Sequence, residues 1–332
     1  MNHPSTEHEL ISELKSLLQI HSPRYEIEIG DDAAVRRGNN SDQIILTTDL
    51  CVQDVHFKTE WMTFREIGYK AMVTNLSDCA SMGASPESAL IQLVFPKNDP
   101  ALLEHIIQLY QGFNDACARW DFPVIGGDLS CGNSWIIGIT LLGHVPSHSR
   151  TLRRSGAQAG DCLWVSGETG KSLAGLHCLQ KWGRKHTPDK FKSFVDSHVR
   201  PEPQIGLGIA LRENVAIHAM MDLSDGIAKD ARTIGYENGL GVILKFDSSH
   251  ISPLMIELGE ILDSNPFEWV IQGGEEYELL FASSDSFNPG SVPGDTARRC
   301  KCIGTFTKER KGLWYHDGYS LTEVHTKGWN HL

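Results

Sequence analysis

The stretch Ala216-Ile217-His218-Ala219-Met220-Met221-Asp222-Leu223-Ser224-Asp225-Gly226-Ile227 decides how the whole chain is read. Its first half is a short apolar run, as a buried strand requires, and helical periodicity resumes over 227–237. Two aspartates, a serine and a glycine fill the turn between them. Strand ends of this kind are where α/β architectures form ligand crevices, because backbone and side chain can approach a bound group together. The same device recurs at Gly30-Asp31-Asp32-Ala33-Ala34, Thr47-Thr48-Asp49, Asn75-Leu76-Ser77-Asp78, Gly126-Gly127-Asp128 and Gly273-Gly274-Glu275-Glu276.

Taken singly, each of these acids reads as a helix cap or a turn residue. Taken jointly, they point to a shared metal-phosphate site, since gathered carboxylates repel one another and need a cation to hold them together. Oxygen-only donors suit Mg²⁺. No histidine pair at i, i+4 accompanies them and no C-x-x-C occurs, which disfavours zinc. Asp78 falls on a predicted helix over 64–82 whose neighbouring residues are small or apolar. A carboxylate there is costly unless paired or metal-bound. Lys70, two turns away, is the structural alternative, and metal binding is the preferred reading. One decoy is set aside. Val165-Ser166-Gly167-Glu168-Thr169-Gly170-Lys171-Ser172 imitates a P-loop, but valine stands where the first glycine is needed, so the segment reads as a tight β-α turn.

Working outward, strands are expected over 43–50, 88–96, 123–127, 135–145, 161–165, 216–221, 241–246 and 277–282, with later ones over 302–306 and 313–316. Helices are expected over 64–82, 101–119, 171–182, 204–213 and 227–237, and Leu10, Leu14, Leu17 and Leu18 mark a capped helix near the start. Strands and helices alternate without a strict β-α-β period. Residues 146–160 are rich in Ser, Arg and Gly and lack apolar periodicity. The expectation is an α+β, or mixed α/β, protein of two domains, 1–148 and 149–332.

The 332 residues carry 30 basic and 42 acidic side chains, a net charge of −12, and 40% are hydrophobic. That composition excludes wholesale disorder, and the acidic balance argues against a nucleic-acid or anionic-membrane binder. The most apolar stretch, 135–145, falls far short of the ~20 residues that a membrane helix needs. The N-terminal residues show no signal-peptide pattern, and eight cysteines are too sparse for a disulfide scaffold. A cytoplasmic protein with reduced thiols is expected.

The acidic motifs, in their order, resemble those of the thiamine-monophosphate kinase family, within the aminoimidazole-ribonucleotide-synthetase-like ATP-dependent superfamily. The resemblance runs from about residue 25 to the C-terminus. It also takes in Val55-His56-Phe57, Met82-Gly83-Ala84, Arg154-Ser155-Gly156-Ala157, Tyr277-Glu278-Leu279 and Lys327-Gly328-Trp329. It implies an N-terminal domain that pairs across a dimer interface into a shared β-barrel, a homodimer, and ATP bound in the cleft. It implies that Asp32, Thr47, Thr48, Asp49, Asp78, Asp128 and Asp222 hold several Mg²⁺ ions on the ATP phosphates, and Asp225 a further one. Gly127, Asp128, Arg154 and Ser224 would contact ATP. His56, Glu275 and Trp329 would contact thiamine monophosphate, with Trp329 stacking on the cationic ring. Two positions depart from the family pattern: Glu276 stands for an aspartate, and Lys171 for an acid.

The implied reaction is direct, in-line transfer of the ATP γ-phosphoryl group to thiamine monophosphate, giving thiamine diphosphate and ADP. No nucleophilic residue is required, because a phosphate oxygen already attacks at neutral pH. Two rivals stand beside it. One is a sister enzyme of the superfamily with another acceptor, and the other is a non-catalytic nucleotide or thiamine-phosphate sensor.

Overall fold

The structure, a computed structural model, describes residues 11, 15, 22–38, 42–246, 250–292 and 299–325. The leucines of the expected first helix and Trp329 lie outside the described residues. Two sheets come from successive halves of the chain. The first contains β1 (Tyr25–Ile27), β2 (Ala34–Arg37), β3 (Gln43–Val52), β4 (Ser85–Pro96), β5 (Val124–Gly132) and β6 (Ile136–Val145), ordered β1-β2-β3-β6-β4-β5. Its spine is the antiparallel β3·β6 ladder, which runs unbroken from Gln43↔Val145 to Val52↔Ile136. β5 pairs in parallel with β4 and forms an exposed edge.

The second sheet contains β7 (Cys162–Val165), β8 (Ile217–Leu223), β9 (Gly241–Leu244), β10 (Glu278–Ser283), β11 (Lys301–Thr307), β12 (Gly312–His316) and β13 (Leu321–Glu323), ordered β13-β12-β9-β11-β7-β10-β8. The fold is mixed α/β. Neither sheet closes on itself, so the barrel implied by the resemblance is not formed within a single chain. The physical reason is that β1 and β5 stand at opposite edges, with no strand among the described residues to join them.

Eight α-helices complete the fold among the described residues: α1 (Phe64–Ser81), α2 (Leu102–Trp120), α3 (Lys171–His186), α4 (Lys192–Val199), α5 (Ile205–Arg212), α6 (Ile227–Glu237), α7 (Pro253–Leu262) and α8 (Pro266–Gln272). None is long and apolar enough to cross a membrane. α1 is the central member. Thr63 and Glu66 form a reciprocal capping box at its start, which satisfies two of the otherwise orphaned amide donors. Nearly every side of the helix is buried. It crosses α2 at Gly68 and Gly112, where a Cβ on Gly112 would lie 2.0 Å from the Arg65 carbonyl oxygen. At its other end it meets α5, where a Cβ on Gly208 would lie 2.1 Å from the Ala80 carbonyl oxygen. One continuous apolar core results, running from Val35 and Ile45 through Met72 and Leu76 to Met220, Leu223 and Phe281.

Most elements fall where their patterns place them, with three informative differences. β5 continues to Gly132 instead of ending near Gly127, so Asp128 sits mid-strand. β8 continues to Leu223, which puts Asp222 inside the ladder, opposite Leu279. α3 runs past Trp182 to His186 across a kink at Gly183 (φ 66°, ψ 170°), a conformation that glycine adopts readily.

Candidate active site

A cleft of about 1510 Å³ opens between the two sheets, lined by β3, α1, the loop of residues 53–63, the 222–226 turn and the 273–277 segment. α1 contributes Lys70, Thr74 and Asp78, spaced i, i+4, i+8 and therefore on one face. The 222–226 turn and the 273–277 segment are fastened together. The Glu275 amide donates to the Ser224 carbonyl at 2.7 Å and the Tyr277 amide to the Leu223 carbonyl at 3.0 Å. Gly274 is needed for this approach, because a Cβ there would lie 2.6 Å from the Ser224 carbonyl oxygen. Glu275 (φ 59°) and Tyr277 (φ 53°) both hold left-handed backbone, which is strain for side-chain-bearing residues and gathers at functional sites.

At one end of α1 the carboxylates converge. Thr47 Oγ1 donates to Asp78 Oδ2, and Ser77 Oγ donates to Asp222 Oδ2 at 2.9 Å. The Asp222 amide reaches Asp32 Oδ2 at 3.3 Å, and Arg154 Nε donates to Asp32 Oδ1 at 2.6 Å. Burial pushes Asp78 well above the usual carboxylate range, and Asp49, Asp222 and Asp32 push it further. Asp222 is raised by burial and by Asp32. Asp49 is raised by burial, with Thr74 opposing through a hydrogen bond. Burial works against the charge of Arg154, but Asp32 and Asp31 outweigh it and keep the guanidinium firmly charged. Asp31, whose carboxylate accepts from the Asp32 and Arg154 amides, is raised to about 7 by burial and by Asp32.

Five aspartates, Asp31, Asp32, Asp49, Asp78 and Asp222, therefore gather at this end around one arginine, Arg154, an imbalance that a cation would correct. Among the described residues no three His, Cys, Asp or Glu side chains close into a metal cage. The donors form an open, oxygen-only set, and that set fits Mg²⁺, which keeps water and substrate phosphate among its ligands. Thr48 reaches the Ile139 carbonyl at 3.1 Å and also lines the cleft. Asp225 and Ser224 line it too, with Lys229 pairing to Asp225 at 2.7 Å.

At the other end of the same helix face, charges are balanced. Lys70 Nζ lies 3.0 Å from Glu275 Oε2, and His198 Nδ1 lies 3.5 Å from the same oxygen and 3.1 Å from Ser172 Oγ. Burial alone would raise Glu275, but Lys70 and His198 win, and its carboxyl sits below the usual range. Burial and then Lys70 drive His198 down to about 4, so it is neutral near pH 7. The structural alternative for Asp78 is thereby corrected, because Lys70 pairs with Glu275 and not with Asp78. His56 lines the cleft from the loop after β3, where its Nδ1 accepts from the Val52 amide at 3.1 Å.

Gly127 and Asp128 are not brought into this cleft. In the cross-strand rows, Asp49 aligns with Ile139, Ile91 and Gly127, which puts Gly127 three strand spacings away, roughly 14 Å. Several cleft residues carry no local sequence signal. His198 and Ser172 are brought in by tertiary packing of α3 and α4. Behind the cleft, Asp230, buried one turn into α6, accepts from the Asp225 amide at 3.1 Å and shows in the sequence only as one acid in a helix.

The P-loop-like turn has a different tenant. Gly170 adopts φ 85° at the start of α3 and offers no side-chain cap, and the Ser172 amide donates instead to Glu276 Oε1 at 3.1 Å. Burial, with Glu278 adding to it, raises Glu276 to about 8. Lys171 pairs with Glu168. The helix start is therefore filled by the chain's own carboxyl group.

Residues 30–145 match the family model described as AIR synthase related protein, N-terminal domain. A thiamine-monophosphate kinase of Corynebacterium glutamicum is 34% identical over 284 residues, covering 85% of this chain and 82% of that protein. One from Salmonella typhimurium is 32% identical over 325 residues, covering 95% of each. The solved structure described as AaThiL complexed with AMPPCP and TMP superposes with a TM-score of 0.85 at 28% identity, covering 98% of this chain and 97% of that one. With five of its six acidic motifs at one cleft and its length matched nearly end to end, the chain belongs to the thiamine-monophosphate kinase family.

Proposed function

We propose that this chain transfers the γ-phosphoryl group of ATP to the phosphate of thiamine monophosphate, giving thiamine diphosphate and ADP. The observation that carries the reading is the division of one cleft into an acid-rich end, at Asp49, Asp78 and Asp222, and a balanced end at Lys70 and Glu275. The first suits cation-bound phosphates, and the second offers an anion to a positively charged acceptor. Asp32, Thr47, Thr48, Asp49, Asp78, Asp222 and Asp225 would hold Mg²⁺, which when bound neutralises the charge that builds up on the phosphates.

The remaining work falls to the chain's own groups. Arg154, fixed by Asp32, presents a permanent positive charge beside the acids, and Ser224 lies in the same turn as Asp222. Glu275 and His56 would orient the acceptor, and Trp329 would join them. The acceptor's phosphate oxygen attacks the γ-phosphorus while the bond to the ADP oxygen breaks, and no side chain has to remove a proton.

A homodimer belongs to the same reading. Leu50, Ile125 and Leu129 are 63%, 60% and 57% exposed on the first sheet. Exposed apolar side chains on a sheet with an open edge strand call for a cover. A second copy seated there would complete the implied barrel and would account for Gly127 and Asp128 standing outside their own chain's cleft. Domains of 1–148 and 149–332 follow the change of sheet, and a cytoplasmic site of action suits eight free cysteines.

The test is to incubate the protein with ATP, Mg²⁺ and thiamine monophosphate and to quantify products. Equal yields of ADP and thiamine diphosphate are expected. ADP without thiamine diphosphate points to another acceptor, and binding without ADP points to a sensor.

A further inference from the structure

Lys70 is the one cation buried in the face of α1 that also carries Asp78, yet the phosphoryl-transfer chemistry above gives it no task. Its side chain is 5% exposed, and its ammonium ends on Glu275 Oε2 at 3.0 Å. The same oxygen receives His198 Nδ1 at 3.5 Å, from a side chain 6% exposed, and Ser172 Oγ backs that imidazole at 3.1 Å. Glu275 itself is 30% exposed, lines the cleft and is held in left-handed backbone. Two elements thus converge on one carboxylate oxygen, α1 through Lys70 and α4 through His198, and α3 backs the imidazole through Ser172.

From this geometry we infer that Lys70 and His198 are positioning residues for the acceptor: they pin Glu275 by Oε2 so that its other oxygen is offered to the cleft as a fixed anion that selects a cationic or N–H-donating ring system. This inference rests on the kinase reading and deepens it. A carboxylate buried without a counter-charge takes up a proton and stops acting as an anion. Lys70 prevents that, and its own burial is tolerable only because Glu275 answers it. His198, neutral near pH 7, crowds that oxygen at 3.5 Å without a second positive charge that would repel a cationic acceptor. Glu275 stays ionised in the presence of both. Because the clamp and Asp78 share one helix, the acceptor anchor and the phosphate-binding acids are held in a single rigid frame.

The experiment is steady-state kinetics with separate titrations of thiamine monophosphate and ATP. The variants are Lys70→Met, Glu275→Gln, the Lys70→Met/Glu275→Gln double, His198→Leu and His198→Asn. Lys70→Met is expected to raise KM for thiamine monophosphate by about 10- to 100-fold, the scale seen when an outer partner of a binding group is lost. KM for ATP should stay within about twofold. The double variant should be no worse for the acceptor than Glu275→Gln alone, because Lys70 acts through Glu275. His198→Asn, which keeps a donor, should recover much of what His198→Leu loses.

A parallel rise in both KM values, or single effects that multiply in the double variant, overturns the inference. If Lys70→Met does not fold, the double variant, which removes both charges of the buried pair, and the His198 pair give the same reading. Failure of the wild type to make thiamine diphosphate sinks the kinase reading and this inference together. Normal wild-type turnover with an unchanged acceptor KM in Lys70→Met sinks the positioning role alone.

Discussion

The two ends of the α1 face are built on opposite electrostatic plans. Around Asp78, the acids Asp49 and Asp222 lie close enough to raise one another, and Arg154 alone answers them through Asp32. Around Lys70, one ammonium meets one carboxylate, and a neutral imidazole completes the contact. The first arrangement is unfavourable by itself and becomes favourable when a cation arrives. The second is already satisfied, and its value lies in staying still. On the proposed reading, one cleft binds a metal-laden phosphate chain and also fixes an organic acceptor, and it needs both.

The largest effect should come from breaking the unbalanced end. Asp78→Asn is expected to lower Mg²⁺-dependent turnover by about 10²–10³-fold, comparable to losing a main electrostatic contact in a transition state. It should not lower the Tm of the metal-free protein, since burial and the neighbouring acids already disfavour the ionised carboxylate there. Turnover near the wild-type value would refute the shared-metal site.

The next effect is that of the cation itself. Mg²⁺ at about 100 times its Kd should add about 2.7 kcal/mol of stability, and at one fixed Mg²⁺ concentration the gain should grow with pH. The sign follows from the raised carboxyls of Asp49, Asp78 and Asp222. In the metal-free fold they bind more protons than in the unfolded chain, so metal-free stability falls as pH rises through that window. Mg²⁺ has to displace those protons, so it binds better at higher pH. Thermal shifts with and without Mg²⁺ at about pH 6 and about pH 8 would check this, and a larger shift at the lower pH contradicts it.

Breaking the balanced end should have the opposite signature on stability. Lys70→Met, which leaves Glu275 without its ammonium, is expected to destabilise the metal-free protein by about 1–3 kcal/mol in urea unfolding. An unchanged unfolding midpoint would remove the distinction between the two ends. The smallest effect is expected outside both. With its carboxyl raised to about 8, Glu276 is mostly protonated near neutral pH, so Glu276→Gln should change stability by less than about 0.5 kcal/mol. A loss well above that would mean that the ionised form caps α3.

How much of this was legible in the sequence depended on the range of the forces involved. The helix over Ile227–Glu237 and the strand before it were readable because periodicity and turn residues act locally. The extension of β5 was not. Gly126, Gly127, Asp128 and Ser130 have little strand propensity, and only pairing with β4 carries the strand to Gly132. The three-residue strand β1 is too short for any pattern to show. In the site, the grouping of the acids was legible from their company of small residues, whereas partnership was not. Lys70 had a nearby acid in the sequence, but its partner is Glu275, 205 residues away. His198 arrives on α4, a short helix with no marker of its own.

α1 also works as a ruler. Eight residues separate Lys70 from Asp78, and at the rise of an α-helix that is about 12 Å between the proposed acceptor anchor and the acids proposed to bind the phosphates. Because the helix is packed on almost every side, that length cannot stretch. A substrate is thus gauged by the distance from its recognised ring to its reacting phosphate, and one that is a few bonds shorter can touch either mark on the scale but not both.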